Sequence, residues 1–372
     1  MTRSKDAINP QLVYLDPFLV DRARIALGKS QKDVVQHATP GNRNGSIPAL
    51  NFRTFRQALR GEGILPASAL LVAQSLDREL LELLAPWDPR YVLHKESNGP
   101  IAGESEWETV GYLEQGRLAP NGLYYVVCRM QHRHTANRWG RGKFYHLGLV
   151  PQAKRESVRH QLSRHADVCA RVGTHPHVAL NHTSAPAADG WWVIDDWVGE
   201  QSLADRLASE LWSPEKLPRL LHELAVGLDA LHKRQIILRE LAPARVLIAD
   251  RDGRAVLTDF ELGKLLNGSP SVSGDWPEDE FRAPEVEGGD FTLQADLYSL
   301  GRLAVRCVSE DFPPRDRLPV VLGAASIPKG VAKLLTDCLE PIPDRRPPNL
   351  DGLLRELERW VKKHPLGKHH GS

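Results

Sequence analysis

Residues 237–248 read ILRELAPARVLI, and the reading of these twelve residues decides what the rest of the chain is for. The stretch holds Arg239, Glu240 and Arg245. Before it, 220–236 read LLHELAVGLDALHKRQI, where Leu220, Leu221, Leu224, Leu228 and Leu231 make one apolar stripe at helical spacing. After it, 254–266 read RAVLTDFELGKLL and bring in a further carboxylate, Asp259. A helix, a charged loop and an isolated acid in this order raise the question of what chemistry they perform together.

The totals narrow the answer. A chain of 372 residues with 41% hydrophobic and 26% charged residues is globular and long enough for two or three domains. No apolar run approaches a membrane span and no signal-peptide pattern opens the chain, so the expected location is cytoplasmic with no membrane partner. Cys128, Cys169, Cys307 and Cys338 are scattered without C-x-x-C spacing, which fits buried thiols in a reducing compartment. His132, His134 and His146 lack ordered ligand spacing, so no metal site is expected from them. The formal net charge is only +1, but it is segregated. Residues 22–60 carry eight Lys/Arg against Asp33 alone, and 129–164 carry nine against Glu156 alone. Residues 274–296 carry eight acids against Arg282 alone. Such local fields suggest anion-facing surfaces on the first two segments, with solvated charged faces as the plain alternative.

Along the chain, apolar spacing predicts a helix over 17–27 that Gly28 ends. A second helix follows Ser30, with Asp33 completing something close to a capping box. Asn51 caps a third helix that Gly61 stops, and Pro66 opens a fourth. The run ALGKSQKDVVQHA … FRTFRQALRGEGILPASALLVAQSLD resembles the helix-turn-helix domain of Xre/Cro-type repressors. That resemblance makes the third helix the one that enters the DNA major groove. It places Arg53, Arg56, Gln57 and Arg60 toward DNA, with Phe52, Phe55 and Leu59 toward the core. Arg suits guanine edges or phosphates and Gln suits adenine. The loop between the second and third helices is longer than that family's usual turn. A helical domain that binds a protein partner is the alternative.

Beyond a proline-bearing lead-in at 86–106, the order is strands first and helices after. RHADVCARVGTHPHV, WWVIDDWVGEQSLADRL, ALHKRQIILRELAPARVLI, LTDFELG, FRAPEV, ADLYSLGRL and CLEPIPDRRPPNL resemble, in order, the motifs of eukaryotic-type Ser/Thr protein kinases. The expected fold is α+β. It comprises a helix-turn-helix-like domain at 1–85, the lead-in, a kinase-like N-lobe at 107–198, a C-lobe at 199–362 and a basic tail at 363–372. The resemblance implies a bilobal arrangement, a structural Glu285–Arg346 pair, a structural Asp296 and a nucleotide hinge near Asp196–Val198.

Phosphoryl transfer needs a glycine loop, a Lys held by a Glu, two metal ligands and a carboxylate near the acceptor hydroxyl. Against the resemblance, most of these are changed. Where the loop belongs, Gly116 and Gly122 are six apart and no G-x-G-x-x-G exists. Gly148 stands for the Lys, and Lys143 lies on the opposite strand face. His165 stands for the partner Glu, Ala242 for the catalytic-loop Lys and Asp195 for the gatekeeper. Glu240 replaces the catalytic Asp, one methylene longer. Arg245 replaces the metal-binding Asn, while Asp259 is kept in a D-F-E triplet. The expectation is that Arg245 pairs with the Asp259 carboxylate in place of a metal. The chain therefore reads as a catalytically inactive regulator, with DNA a partner through its first domain and a protein a partner through its second. A homodimer is expected if DNA is bound. An atypical active kinase using Glu240 and Asp259 is the first alternative, and a pure protein scaffold the second. No cofactor is assigned firmly; ATP stays open, and magnesium only through Asp259.

Overall fold

The computed structural model describes residues 12–37, 50–86, 88–91, 106–118, 123–187, 190–239, 241–262, 264–265, 280–288, 292–310 and 312–363. It divides into two compact units. The first takes the residues up to Leu162 together with Thr183–Ile194, and the second takes Ser163–His182 and most of the chain from Asp195 on.

The first unit begins with four short helices: α1 (Pro17–Ala26), α2 (Gln31–His37), α3 (Phe52–Leu59) and α4 (Pro66–Ser75). Side chains written next to each start fix the helices. Asp16 accepts from the Phe18 N–H at 2.8 Å, and Asn51 accepts from the Thr54 N–H at 2.8 Å. Ser30 and Asp33 exchange bonds, the Ser30 N–H to Asp33 Oδ2 at 2.7 Å and the Asp33 N–H to Ser30 Oγ at 3.2 Å. Gly28 and Gly61 end their helices in the left-handed region, where a side chain would be strained. Val20, Val34, Leu50, Phe55, Val72 and Leu83 form the core. Phe55 is buried there and Leu59 packs at its margin. Phe52 does not face the core as the resemblance implied: it is exposed, and the Arg56 guanidinium lies over its ring at 5.2 Å. A residue at the first position of a helix precedes the buried stripe by a turn.

In the stretch read as a lead-in, Asp88 and Arg90 are buried. The Tyr14 N–H donates to Asp88 Oδ2 at 2.8 Å, and Arg90 Nη1 donates to Asp88 Oδ1 and to the Leu12 carbonyl, each at 3.1 Å. Residues 38–49 between α2 and α3, most of the lead-in and the tail after Lys363 lie outside the described residues.

A five-stranded sheet follows, in the order β1-β2-β3-β5-β4. The strands are β1 (Trp107–Leu118), β2 (Tyr124–His132), β3 (Trp139–His146), β4 (Asn181–Ala187) and β5 (Gly190–Asp196). Trp107, Cys128, Met130, Phe144 and Trp192 fill one face. Tyr124 of β2 instead joins the core of the helical segment, and burial pushes its hydroxyl up to about 12. Gly116 sits at a register shift in β1 with φ +79°, and a Cβ there would collide with the Tyr124 hydroxyl. The long helix α5 (Gln152–Val172) comes between β3 and β4 in the chain.

The second unit is mainly helical. Its principal helices after α5 are α7 (Leu217–His232), α8 (Leu293–Val308), α10 (Lys329–Cys338) and α11 (Asp351–Lys363). The short α6 (Leu203–Leu207) and α9 (Leu318–Ala324) complete the set. The stripe Leu220, Leu221, Leu224, Leu228 and Leu231 is buried along α7, as its spacing required. Two small antiparallel ladders pair Ile236–Ile237 with Lys264–Leu265, and Val246–Ile248 with Ala255–Leu257. These ladders carry the charged loop of 237–248 and the Asp259 turn on one scaffold. All four cysteines are free and buried. Among the described residues no helix is long and apolar enough to cross a membrane.

Candidate functional site

The loop at 238–245 is held from below by one carboxylate. Asp296, fully buried in the first turn of α8, accepts from the Leu238 N–H (Oδ2) and the Arg239 N–H (Oδ1), both at 2.9 Å. His232 Nε2, at the end of α7, lies 2.9 Å from Asp296 Oδ2. Donors of this kind make burial of the charge tolerable. Arg239 has φ +70° and is buried. Burial, with the Arg164 charge adding to it, pulls its guanidinium down to about 10 against the opposing pull of Asp296. Glu240 lies outside the described residues.

A 3₁₀ turn at Pro243–Arg245 follows and leads into Val246. The Thr258 N–H donates to the Arg245 carbonyl at 3.0 Å, which ties the loop to the Asp259 segment. Arg245 and Asp259 are brought together, and the guanidinium reaches the Asp259 main chain. Arg245 Nη1 donates to the Asp259 main-chain carbonyl at 2.8 Å, and Asp259 itself stands at φ +62°. With the backbone turned in that way, its carbonyl is the group presented to the guanidinium.

Next to this contact is a buried polar network. His165 of α5 is fully buried, and its Nε2 lies 2.8 Å from Asp195 Oδ1. Asn181 Nδ2 donates to the same oxygen at 2.9 Å, and Thr258 Oγ donates to Asp195 Oδ2 at 3.3 Å. The other ring nitrogen of His165 accepts from the Phe260 N–H at 3.1 Å, and the two rings stack at 5.3 Å. Burial is the largest influence and disfavours the charged ring, but the Asp195 carboxylate and the Cys169 sulfur beside Nε2 together outweigh it and hold the His165 pKa well above the usual histidine value. A second proton has to compete with the Phe260 N–H for Nδ1. Sequence reasoning registered His165 and Asp195 as two separate losses and missed that they complete each other. The signal was present: an acid in the apolar run WWVIDDWV and a histidine in an otherwise packed helix both need buried partners.

Asp196 receives His182 Nε2 at 3.2 Å, and the Val198 carbonyl is taken by the Asp250 N–H at 3.1 Å. Glu285 and Arg346 form a two-pronged pair, Nη1 to Oε1 at 2.6 Å and Nη2 to Oε2 at 2.7 Å. In the first unit, Gly148 falls beyond the end of β3 and is exposed within a 3₁₀ turn. Lys143 stands over the Tyr125 ring at 4.3 Å. Arg53, Arg56 and Arg60 of the α3 region are exposed, with Gln57 half-buried between them. Among the described residues no group of three His, Cys, Asp or Glu is placed to hold a metal ion.

A loop braced by a buried Asp, a neighbouring Asp-Phe turn and a paired Glu–Arg are the parts of a protein-kinase core. The chain belongs to the protein kinase domain family, whose model matches residues 135–356. That match starts after β2, so the stretch expected to hold a glycine loop is outside it. Similar proteins include rat ribosomal protein S6 kinase alpha-1, 27% identical over 73% of this chain and 37% of that protein. Chicken ribosomal protein S6 kinase 2 alpha is 29% identical over 73% of this chain and 36% of its own length. Human ribosomal protein S6 kinase alpha-2 is 29% identical over 73% and 37%. The chain spans little more than a third of these relatives.

Proposed function

We propose that this chain is a kinase-fold regulator that does not transfer phosphate. The observation that carries this reading is Arg245. A permanent cation occupies the position the family gives to a metal ligand, with its guanidinium bonded to the Asp259 carbonyl at 2.8 Å. Family membership implies magnesium and ATP, and these residues do not fit them. The helix position of the family's Glu holds His165, committed to Asp195 and to the Phe260 N–H. Gly148 and Ala242 offer no cation to phosphate. In such a core the parts that would stabilise the transferring group are replaced by groups that stabilise the fold.

In this proposal the second unit is a docking or sensing module and the N-terminal helices bind duplex DNA. Arg53, Arg56 and Arg60 are exposed around α3, and 22–60 is strongly basic. The test has two arms. Thermal shift with ATP and Mg²⁺ is expected to leave the melting temperature unchanged. Fluorescence anisotropy with labelled duplex is expected to show binding that weakens steeply between 50 and 200 mM salt, by on the order of a hundredfold if about four phosphates are contacted. Binding that ignores salt and survives Arg53→Ala/Arg56→Ala/Arg60→Ala overturns the DNA assignment. One observation favours a second reading, an atypical active Ser/Thr kinase: Asp296 still braces the loop that carries Glu240. Mg²⁺-dependent nucleotide binding supports that reading.

A further inference from the structure

Helix α1 is apolar on two sides. Val20 and Ala23 face the core, as one side requires. The opposite side carries Phe18, 70% exposed, and Ile25, 61% exposed. Between them in sequence stand Asp21 and Arg22. Positions 18, 21, 22 and 25 follow the i, i+3, i+4, i+7 pattern and fall within about 100° of helix arc, so they form one continuous face. This face lines an open groove of about 560 Å³, to which Pro17, Gln31 and Leu59 also contribute. None of these residues belongs to the stretch that the protein kinase model matches.

We propose that this face is a self-association surface and that its occupant is a second copy of the same chain. The argument is its register. An antiparallel pair of α1 helices related by a two-fold axis between positions 21 and 22 sets Phe18 against Ile25 of the second copy. The same operation sets Asp21 against Arg22 of the second copy. Both apolar ends and both opposite charges are matched at once, as an isologous contact requires. A partner of other chemistry would need to supply this spacing independently; a second copy has it by symmetry. Asp21 also receives Arg24 of its own helix at 2.6 Å, which orients the carboxylate without removing its charge. At the Ile25 end, the groove beside Gln31 gives the Phe18 ring of the second copy a place to enter. The patch is small, so the dimer should fall in the weak class, with Kd on the order of 10–100 µM. This inference stands apart from the DNA and catalytic readings and does not require either.

Sedimentation equilibrium of the full chain over about 1–300 µM tests it, a range set by that expected affinity. Wild type is expected to pass from monomer to dimer. Arg22→Asp and Asp21→Arg each place like charges in contact twice, and each is expected to weaken the dimer on the order of a hundredfold, leaving monomer. Mixing the two variants puts a cation opposite an anion at both contacts and is expected to restore the dimer as a heterodimer. Phe18→Ala is expected to weaken wild-type association at least about tenfold. Far-UV circular dichroism checks that each variant folds, and the exposure of Phe18 and Ile25 means the core is not touched. A wild-type monomer throughout the range overturns the proposal. So does a dimer that survives the single charge reversals, or a mixture of folded variants that stays monomeric.

Discussion

His165→Leu is the perturbation that reads the buried network most directly. The substitution stays close in size but replaces the imidazole by an apolar side chain, and the partners of both ring nitrogens are left behind. Asp195, 6% exposed, keeps Asn181 and Thr258 but loses its 2.8 Å partner. The Phe260 N–H loses its acceptor inside the core. Breaking a buried pair from one side costs about 3–5 kcal/mol, and an orphaned buried N–H about 1–3 kcal/mol. The two Asp195 bonds that remain soften the first cost, so a net loss of about 4 kcal/mol is expected. For a cooperative unit of roughly 150–250 residues that lowers Tm by about 8–16 °C. Urea unfolding followed by tryptophan fluorescence and circular dichroism measures it. Asp195→Leu and the double variant complete a cycle, and the double variant should cost less than the sum of the singles by about 2–3 kcal/mol. If His165→Leu is within about 0.5 kcal/mol of wild type, or the two changes simply add, the network is not the strut described above.

Other consequences follow from single contacts. Arg346→Lys keeps the charge but cannot match both Glu285 oxygens, and should destabilise the second unit by about 2–4 kcal/mol in chemical denaturation. Arg245→Asn removes a charge-assisted bond to the Asp259 carbonyl and should cost about 1.5–3 kcal/mol while creating no phosphoryl transfer, since Gly148, His165 and Ala242 remain. Burial pushes the Cys128, Cys307 and Cys338 thiols up to about 12 each. They stay protonated through neutral pH, so thiol-reactive dyes should label them only on unfolding, as a native-versus-urea titration would show.

Much of the core was legible in the sequence because it rests on local patterns. The leucine stripe of α7 states its own buried face, and the capping residues Ser30 and Asn51 mark helix starts that the structure shows. The Glu285–Arg346 contact was anticipated from two motifs sixty-one residues apart. What the sequence did not reveal depends on long-range geometry. The Arg245 bond goes to a carbonyl because Asp259 adopts a left-handed backbone, and no residue identity signals that. His165 and Asp195 meet only after α5 and β5 are placed, thirty residues apart in the chain. Phe52 was misplaced because the resemblance to a helix-turn-helix fixes the general face of α3 but not which turn of so short a helix is covered.

The central claim is that the Asp259 region supports structure and not phosphoryl transfer. Labelled-phosphate transfer from ATP with Mg²⁺ or Mn²⁺ to the chain itself and to a generic Ser/Thr substrate, wild type beside Asp259→Ala, tests it most directly. The account predicts no transfer above background from either protein. Transfer by wild type that disappears in Asp259→Ala would contradict it and assign Glu240 and Arg245 to a rebuilt, working active site.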